Sequence, residues 1–272
     1  MFLPVTAASV LAQVPASEPA PTTRTTKIGS LDLSLNWRVR AEHWDWFEGS
    51  TGDSHYPLGH SQLRVSLGQK RDRVDWLFEG EQVAIVGLPN DAVAPAPLGQ
   101  LGLGATYYAA NGNSQNNANA FVKQAFVQLK QLGPFNLKLG RFEFFDGAEA
   151  KSSDPVVNTV VQTRIAHRLI SNFGFTAVQR TFDGAQFAWN TGAHSVTAFG
   201  ARPTAGIFQV NGMPELDIQI YYGAYNRSIE TESGGPVIPR SKSRAIVRSL
   251  VSFGSSRCPI PGGRTQAKAS RS

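Results

Sequence analysis

From Leu31 the chain alternates with a period of two. Leu31, Leu33, Leu35, Trp37 and Val39 hold one parity, while Asp32, Ser34, Asn36, Arg38 and Arg40 hold the other. Successive side chains of an extended strand point to opposite sides, so the pattern predicts a long two-faced strand. Leu63, Val65 and Leu67 repeat it against Gln62, Arg64 and Ser66, and a polar turn over Lys70 to Arg73 leads into Asp75 to Val86. Two such runs across a short turn predict a hairpin. Further strands are expected at Leu98 to Tyr108, Ala120 to Lys130, Phe135 to Phe145, Asn172 to Arg180, Ala185 to Asn190, Ser195 to Gly200 and Leu216 to Asn226. The count is about ten strands.

The links come in two lengths. Lys70 to Arg73, Gln131 to Pro134, Thr181 to Gly184 and Thr191 to Ala193 are short; Glu48 to His60, Ala109 to Asn119 and Asp146 to Ser171 are long. Barrels of bacterial outer membranes use short turns on one side and long loops on the other. Two consecutive short links after Arg180 break that rhythm. At Gly140 the apolar parity changes from Leu137 and Leu139 to Phe142 and Phe144. Either a bulge or a strand break accounts for this, and a bulge would bring Lys138, Arg141 and Glu143 onto one polar face.

Composition narrows the class. Of the 272 residues only 17% are charged, 10% are aromatic and 26 are glycine. That balance fits an all-β, turn-rich chain. No run of about 18 apolar residues is present, which excludes an ordinary transmembrane helix but not a barrel. The expected fold is an all-β, antiparallel up-and-down transmembrane β-barrel. A soluble sandwich would also alternate, but with shorter strands and its apolar side against a second sheet. Trp44, Trp46, Phe47, Phe144, Phe145, Tyr221 and Tyr222 fall near strand ends, either as interfacial girdles or as core aromatics.

The expected organisation is a signal-peptide remnant over 1–12, a Pro/Thr-rich linker over 13–27, a partial barrel over 28–229 and an atypical tail over 230–272. Within the tail only Ala245 to Phe253 resembles a strand. An unpaired edge would leave backbone groups unsatisfied in lipid, so the expectation is a truncated or frame-shifted barrel.

A net charge of +6 predicts an acidic partner. Nucleic acid is not expected, because no basic helical stripe or binding motif appears. The partners expected are an anionic polysaccharide or small anionic solute, and outer-membrane lipid. Cys258 is single and the histidines show no ligand spacing, so no metal or cofactor is expected. Catalysis is not expected either. No nucleophile elbow, zinc motif or phosphate loop occurs, and His167 lies beside Arg168 without an obvious nucleophile. The acidic stretch Asp146 to Asp154 lacks a calcium-loop pattern.

Three segments carry a resemblance: Leu137-Lys138-Leu139-Gly140-Arg141-Phe142-Glu143-Phe144 with Asp146-Gly147, Arg168 to Phe175, and Gln179 to Gly184. With the opening strand around Trp37 to Arg40, they resemble the alginate export family of outer-membrane barrels, over about Ile28 to Asn226. The resemblance implies a basic lumen that passes an anionic uronate polysaccharide. Arginine meets carboxylates with a bidentate fork and lysine with a mobile point charge. The candidate path is Arg38, Arg40, Arg64, Lys138 and Arg141, joined by Arg164, Arg168 and Arg180. Asp32, Glu42, Glu79 and Glu143 are expected as acidic partners on the same face. The alternatives are a soluble β-sandwich sugar-binding module and a non-functional barrel fragment.

Overall fold

Each strand of the chain pairs antiparallel with the strand before it. The computed structural model describes residues 24–47, 54–92, 101–147, 155–161, 166, 169–191, 194–227 and 252–255. The strands are β1 (Arg24–Ile28), β2 (Leu31–Asp45), β3 (His55–Lys70), β4 (Val74–Val86), β5 (Asn117–Leu132), β6 (Phe135–Phe142), β7 (Phe182–Thr191), β8 (His194–Pro203), β9 (Ile218–Arg227) and β10 (Ser252–Ser255). Among the described residues they form one ten-stranded sheet in sequence order, with no pairing between β1 and β10. The architecture is all-β, antiparallel, up-and-down and open. Strand β1 lies ahead of Leu31 and pairs with it from Arg24↔Leu35 to Ile28↔Leu31. The segment 1–12, Arg164, Arg168 and most of 230–272 lie outside the described residues.

One end of the sheet carries tight turns and the other long connections. Gly29 and Ser30 join β1 to β2, 71–73 join β3 to β4, Gly133 and Pro134 join β5 to β6, and 192–193 join β7 to β8. At the opposite end β6 is joined to β7 through residues 143–181 and β8 to β9 through 204–217. From β1 to β9 the alternation is unbroken. The expected strand over Asn172 to Arg180 is absent, and those residues form turns and bends instead. Thr181 to Gly184 is therefore not a turn: β7 begins at Phe182.

A second segment departs from its pattern. Within Leu98 to Tyr108, the described part holds helix α1 (Leu103–Ala110) rather than a strand. Small residues decide it. The hydroxyl of Tyr56 donates to the Leu101 carbonyl at 2.8 Å and accepts from the Gly104 amide at 3.1 Å. A Cβ on Gly104 would lie 2.4 Å from the Tyr56 ring, so the helix start can seat there only without a side chain. The second helix, α2 (Pro155–Val160), opens on proline, whose missing N–H costs nothing in a first turn.

The sheet has two unlike faces. On β2 and β3 the outward residues include Leu35, Trp37, Val39 and Val65, all exposed, and Phe78, Val127, Leu139, Phe187 and Tyr221 continue that surface across later strands. The inward face is covered by the long connections. Near their end, Tyr56, Leu58, Val83 and Ile85 pack against Ala105 and Tyr107 of α1 and against Val178 and Val210. Across β6 to β9 the inner face is aromatic, with Phe142, Phe144, Phe182, Phe199 and Tyr222 in one cluster. Phe144 and Phe199 stack with ring centres 4.0 Å apart. Phe144 and Tyr222 are thus core aromatics rather than girdle residues, while Phe47 and Tyr221 stay exposed.

The irregularity placed at Gly140 lies elsewhere. Pairing of β6 with both neighbours runs through Gly140 without a shift, so Lys138 and Phe142 keep one inward parity and Arg141 points outward. The shift falls on β5: Glu79 faces Gln124 and Gly80 faces Val122, which leaves Lys123 as an extra residue. Such a bulge turns the strand by one parity. Gln124 and Phe126 face inward beyond it, and Phe121 faces inward before it.

Candidate functional site

At mid-height the inner face carries charges that are buried together. Lys123, aimed inward by its bulge, brings Nζ to 3.6 Å from the Glu81 carboxylate and 3.9 Å from that of Glu143. Arg64 lies 3.2 Å from Glu81, 3.5 Å from Glu143 and 3.9 Å from Glu79. Gln62 donates to Glu81 at 2.7 Å. Desolvating a single charge is costly, so such a set persists only when each member has partners.

The same groups hold the long β6–β7 connection against the wall. Lys123 donates to the Val178 and Gln179 carbonyls at 2.9 and 2.8 Å, Gln62 to the Ala177 carbonyl at 2.8 Å, and Arg38 to the Thr176 carbonyl at 3.5 Å. Arg64 donates to the Gln179 side chain at 2.7 Å. From the other side the Tyr107 hydroxyl accepts from the Ala177 amide at 2.8 Å. Burial pushes the Tyr107 phenol up to about 12, while the Ala177 amide pulls the other way. Four consecutive carbonyls of an irregular segment are thereby satisfied by side chains, which is how non-helical backbone tolerates burial.

Below this layer, towards the tight turns, the inner face opens into connected recesses. One of about 270 Å³ is bordered by Asn36, Arg38, Arg64, Glu79 and Gln179. It shares Ser34 and Ser66 with a second, also about 270 Å³, that reaches Asp32, Asp75, Phe126 and Gln128. Gln128 leads into a third of about 210 Å³ beside Lys138. The continuous trough mixes hydroxyls, amides and both signs of charge.

The candidate residues fall in several places. Arg38, Arg64, Glu79 and Glu143 meet at the buried layer or its lower border. Arg40 lies 3.8 Å from Glu42, which also faces His60 at 3.0 Å. Asp32 and Lys138 line the lower recesses. Arg141 does not join Lys138 and Glu143. It makes a two-pronged pair with Asp183 on the opposite face, at 2.7 and 2.5 Å, and donates to the Met213 carbonyl. Arg180 donates to the Thr204 carbonyl at 3.0 Å and lies over the Phe173 ring. Lys123, Glu81 and Gln62 are the central residues not among the candidates. The inward parity of Gln62 and Glu81 was available from the alternation; that of Lys123 was not.

No family model and no curated protein matches the chain. Among solved structures, a low-pH structure of Pseudomonas putida OprB is similar at 12% identity, over 76% of this chain and 62% of that one, with a TM-score of 0.29. The chain spans about three fifths of that protein's length. Among the described residues no helix is long and apolar enough to cross a membrane, which says nothing of strands.

Proposed function

We propose that the chain forms the wall of a porin-like channel in the bacterial outer membrane. The observation that carries this reading is an inversion of the two faces at mid-height across β2 to β5. Trp37 is 69% exposed and Val39 64% exposed on the outer side, while the Lys123 and Glu81 side chains are fully buried on the inner side. A soluble sandwich does the reverse, since burying apolar area contributes about 25 cal/mol per Å² and burying charge costs. Strand length agrees: β2, β3 and β5 run 15, 16 and 16 residues, beyond the roughly 9–11 a tilted strand needs to cross hydrocarbon. Closure of the wall is part of the proposal, because an open edge in lipid leaves donors and acceptors unpaired.

For the solute we propose an anion, in its finer form a uronate polysaccharide such as alginate, with Arg38, Arg64 and Lys138 along the trough. Glu79 and Asp32 face the same space, so the preference for anions is expected to be weak, as passage requires. The segment 176–179 across the inner face acts as the narrowing of the path.

The test is fractionation followed by bilayer recording. The channel reading expects protein in the outer-membrane fraction, slower gel migration after heating, and steps of conductance whose reversal potential in a salt gradient favours anions. Protein that stays soluble and monomeric without detergent, with no conductance, would sink it in favour of the sugar-binding module. Conductance without anion preference would sink only the finer reading.

A further inference from the structure

The inward cations are not alike in their company. Arg40, Arg64, Lys123 and Lys130 each lie within 4.0 Å of a carboxylate: 3.8 Å to Glu42, 3.2 Å to Glu81, 3.6 Å to Glu81 and 2.8 Å to Asp75. Lys138 has aromatic rings instead. Its Nζ lies 4.0 Å from the centre of the Phe126 ring and 4.8 Å from that of Phe142. Among the described residues no carboxylate comes within ion-pair distance of it. Ring faces hold an ammonium in place but leave its charge uncancelled and N–H donors available.

Register supplies the rest of the site. Lys138 pairs with Gln128 on β5 and with Gln186 on β7, so one row across three strands reads carboxamide, ammonium, carboxamide. Directly opposite residues on one face lie about 4.5–5.5 Å apart at Cβ, which lets all three heads converge on one small group. Asn136 stands two residues along on the same face, and together they line the recess of about 210 Å³. Among the described residues, the side-chain amides of Gln128, Asn136 and Gln186 make no hydrogen bond within the protein. A water occupies about 30 Å³ of liquid, so the recess holds several that an entering group must replace with equal contacts.

We propose that Lys138, Gln128, Gln186 and Asn136 form a carboxylate-binding subsite at the tight-turn end of the solute path. The inference rests on the channel reading insofar as the trough must be open to solvent. A carboxylate is acceptor-only and takes charge-assisted hydrogen bonds from the ammonium together with amide N–H groups. The row presents those donors, and among the described residues no carboxylate lies within ion-pair distance of the ammonium, Glu143 acting on it only from farther away. Arg64 and Lys123 in the buried layer are already matched by Glu79, Glu81 and Glu143, so Lys138 adds a cation to the path that those carboxylates do not pair.

The experiment is amine acylation of the full chain folded in detergent, read at Lys138 by peptide mass spectrometry, with glucuronate, glucose or inorganic phosphate present. The proposal expects glucuronate to slow acylation of Lys138 several-fold and leave the exposed Lys27 unchanged, with glucose inert. Substituting Gln128 and Gln186 together with Ala should remove that protection while Lys138 still reacts. Equal labelling with and without glucuronate would overturn the subsite, and protection by phosphate alone would overturn the carboxylate class. In bilayers, Lys138→Gln should lower anion preference and Lys138→Arg retain it. Protection without any conductance keeps the subsite and fails the channel; conductance unaffected by Lys138→Gln, with no protection, fails the subsite and keeps the channel.

Discussion

Lys123 and Glu81 face each other at 3.6 Å with neither side chain reaching solvent. Removing one partner strands a buried charge, which costs about 3–5 kcal/mol, whereas removing both costs far less. Lys123→Met is therefore expected to lower the urea midpoint of the folded protein strongly, and Lys123→Met with Glu81→Gln to recover most of it. Two single losses that simply add in the double variant would show that the groups are not coupled.

The outer face gives a second expectation. Val39 is exposed, and in a soluble protein Val39→Arg would change stability by no more than about 0.5 kcal/mol. In a lipid-facing wall the same change costs about 2–4 kcal/mol near the bilayer midplane. Reversible urea unfolding in lipid vesicles separates the two, and an indifferent Val39→Arg would count against lipid contact.

Gly140 has a φ of +119°, and a Cβ there would lie 2.3 Å from the Ala125 carbonyl oxygen. No other residue fits without moving β5 away from β6. Gly140→Ala is expected to cost at least about 1–3 kcal/mol from backbone strain. The check is thermal unfolding followed by heat-dependent gel migration, where an unchanged midpoint would refute the close approach.

Tyr107 links helix α1 to the inserted segment through Ala177. Its phenol, pushed up to about 12 by burial, favours the folded state as the neutral form. The ordinary tyrosine value is about 10, so the contribution is full below pH 10 and is lost as pH rises towards 12. Absorbance at alkaline pH should show a late-titrating component that is lost in Tyr107→Phe. The variant should also flatten the stability loss in that range.

Much of the wall was legible because β2 and β3 alternate without interruption, and a one-residue slip would move every side chain to the wrong face. The segments that misled were those in which spacing and space disagreed. Phe173, Phe175 and Ala177 alternate like a strand, yet the Thr176 and Ala177 carbonyls are bonded by wall side chains and that of Phe173 by the Thr176 amide, none of them by a neighbouring strand. Leu101, Leu103, Ala105 and Tyr107 do likewise, but a helix fits because Gly104 can lie on Tyr56. The buried cluster was only half visible. Arg64 and Glu79 follow from parity, but Glu143 shares the outward parity of Arg141 and reaches the cluster only because β6 ends at Phe142, and Lys123 lies out of phase with Gln124 and Phe126 and becomes inward only through the extra residue on β5. Likewise the parity change at Gly140 suggests an inward Arg141, but the chain makes its bulge at Lys123 on β5.

That extra residue gives this gene an unusual sensitivity to a single codon. Loss of one triplet at position 123 would not merely shorten β5: it would reverse the half from Asn117 to Val122, turning Phe121 to the outer face and Ala118 and Ala120 to the inner one. The lysine and the insertion that aims it are the same residue, so a deletion there removes both at once, whereas a substitution removes the charge and keeps the parity. Variation in related chains is expected to tolerate length changes freely in the connections and almost never within this strand.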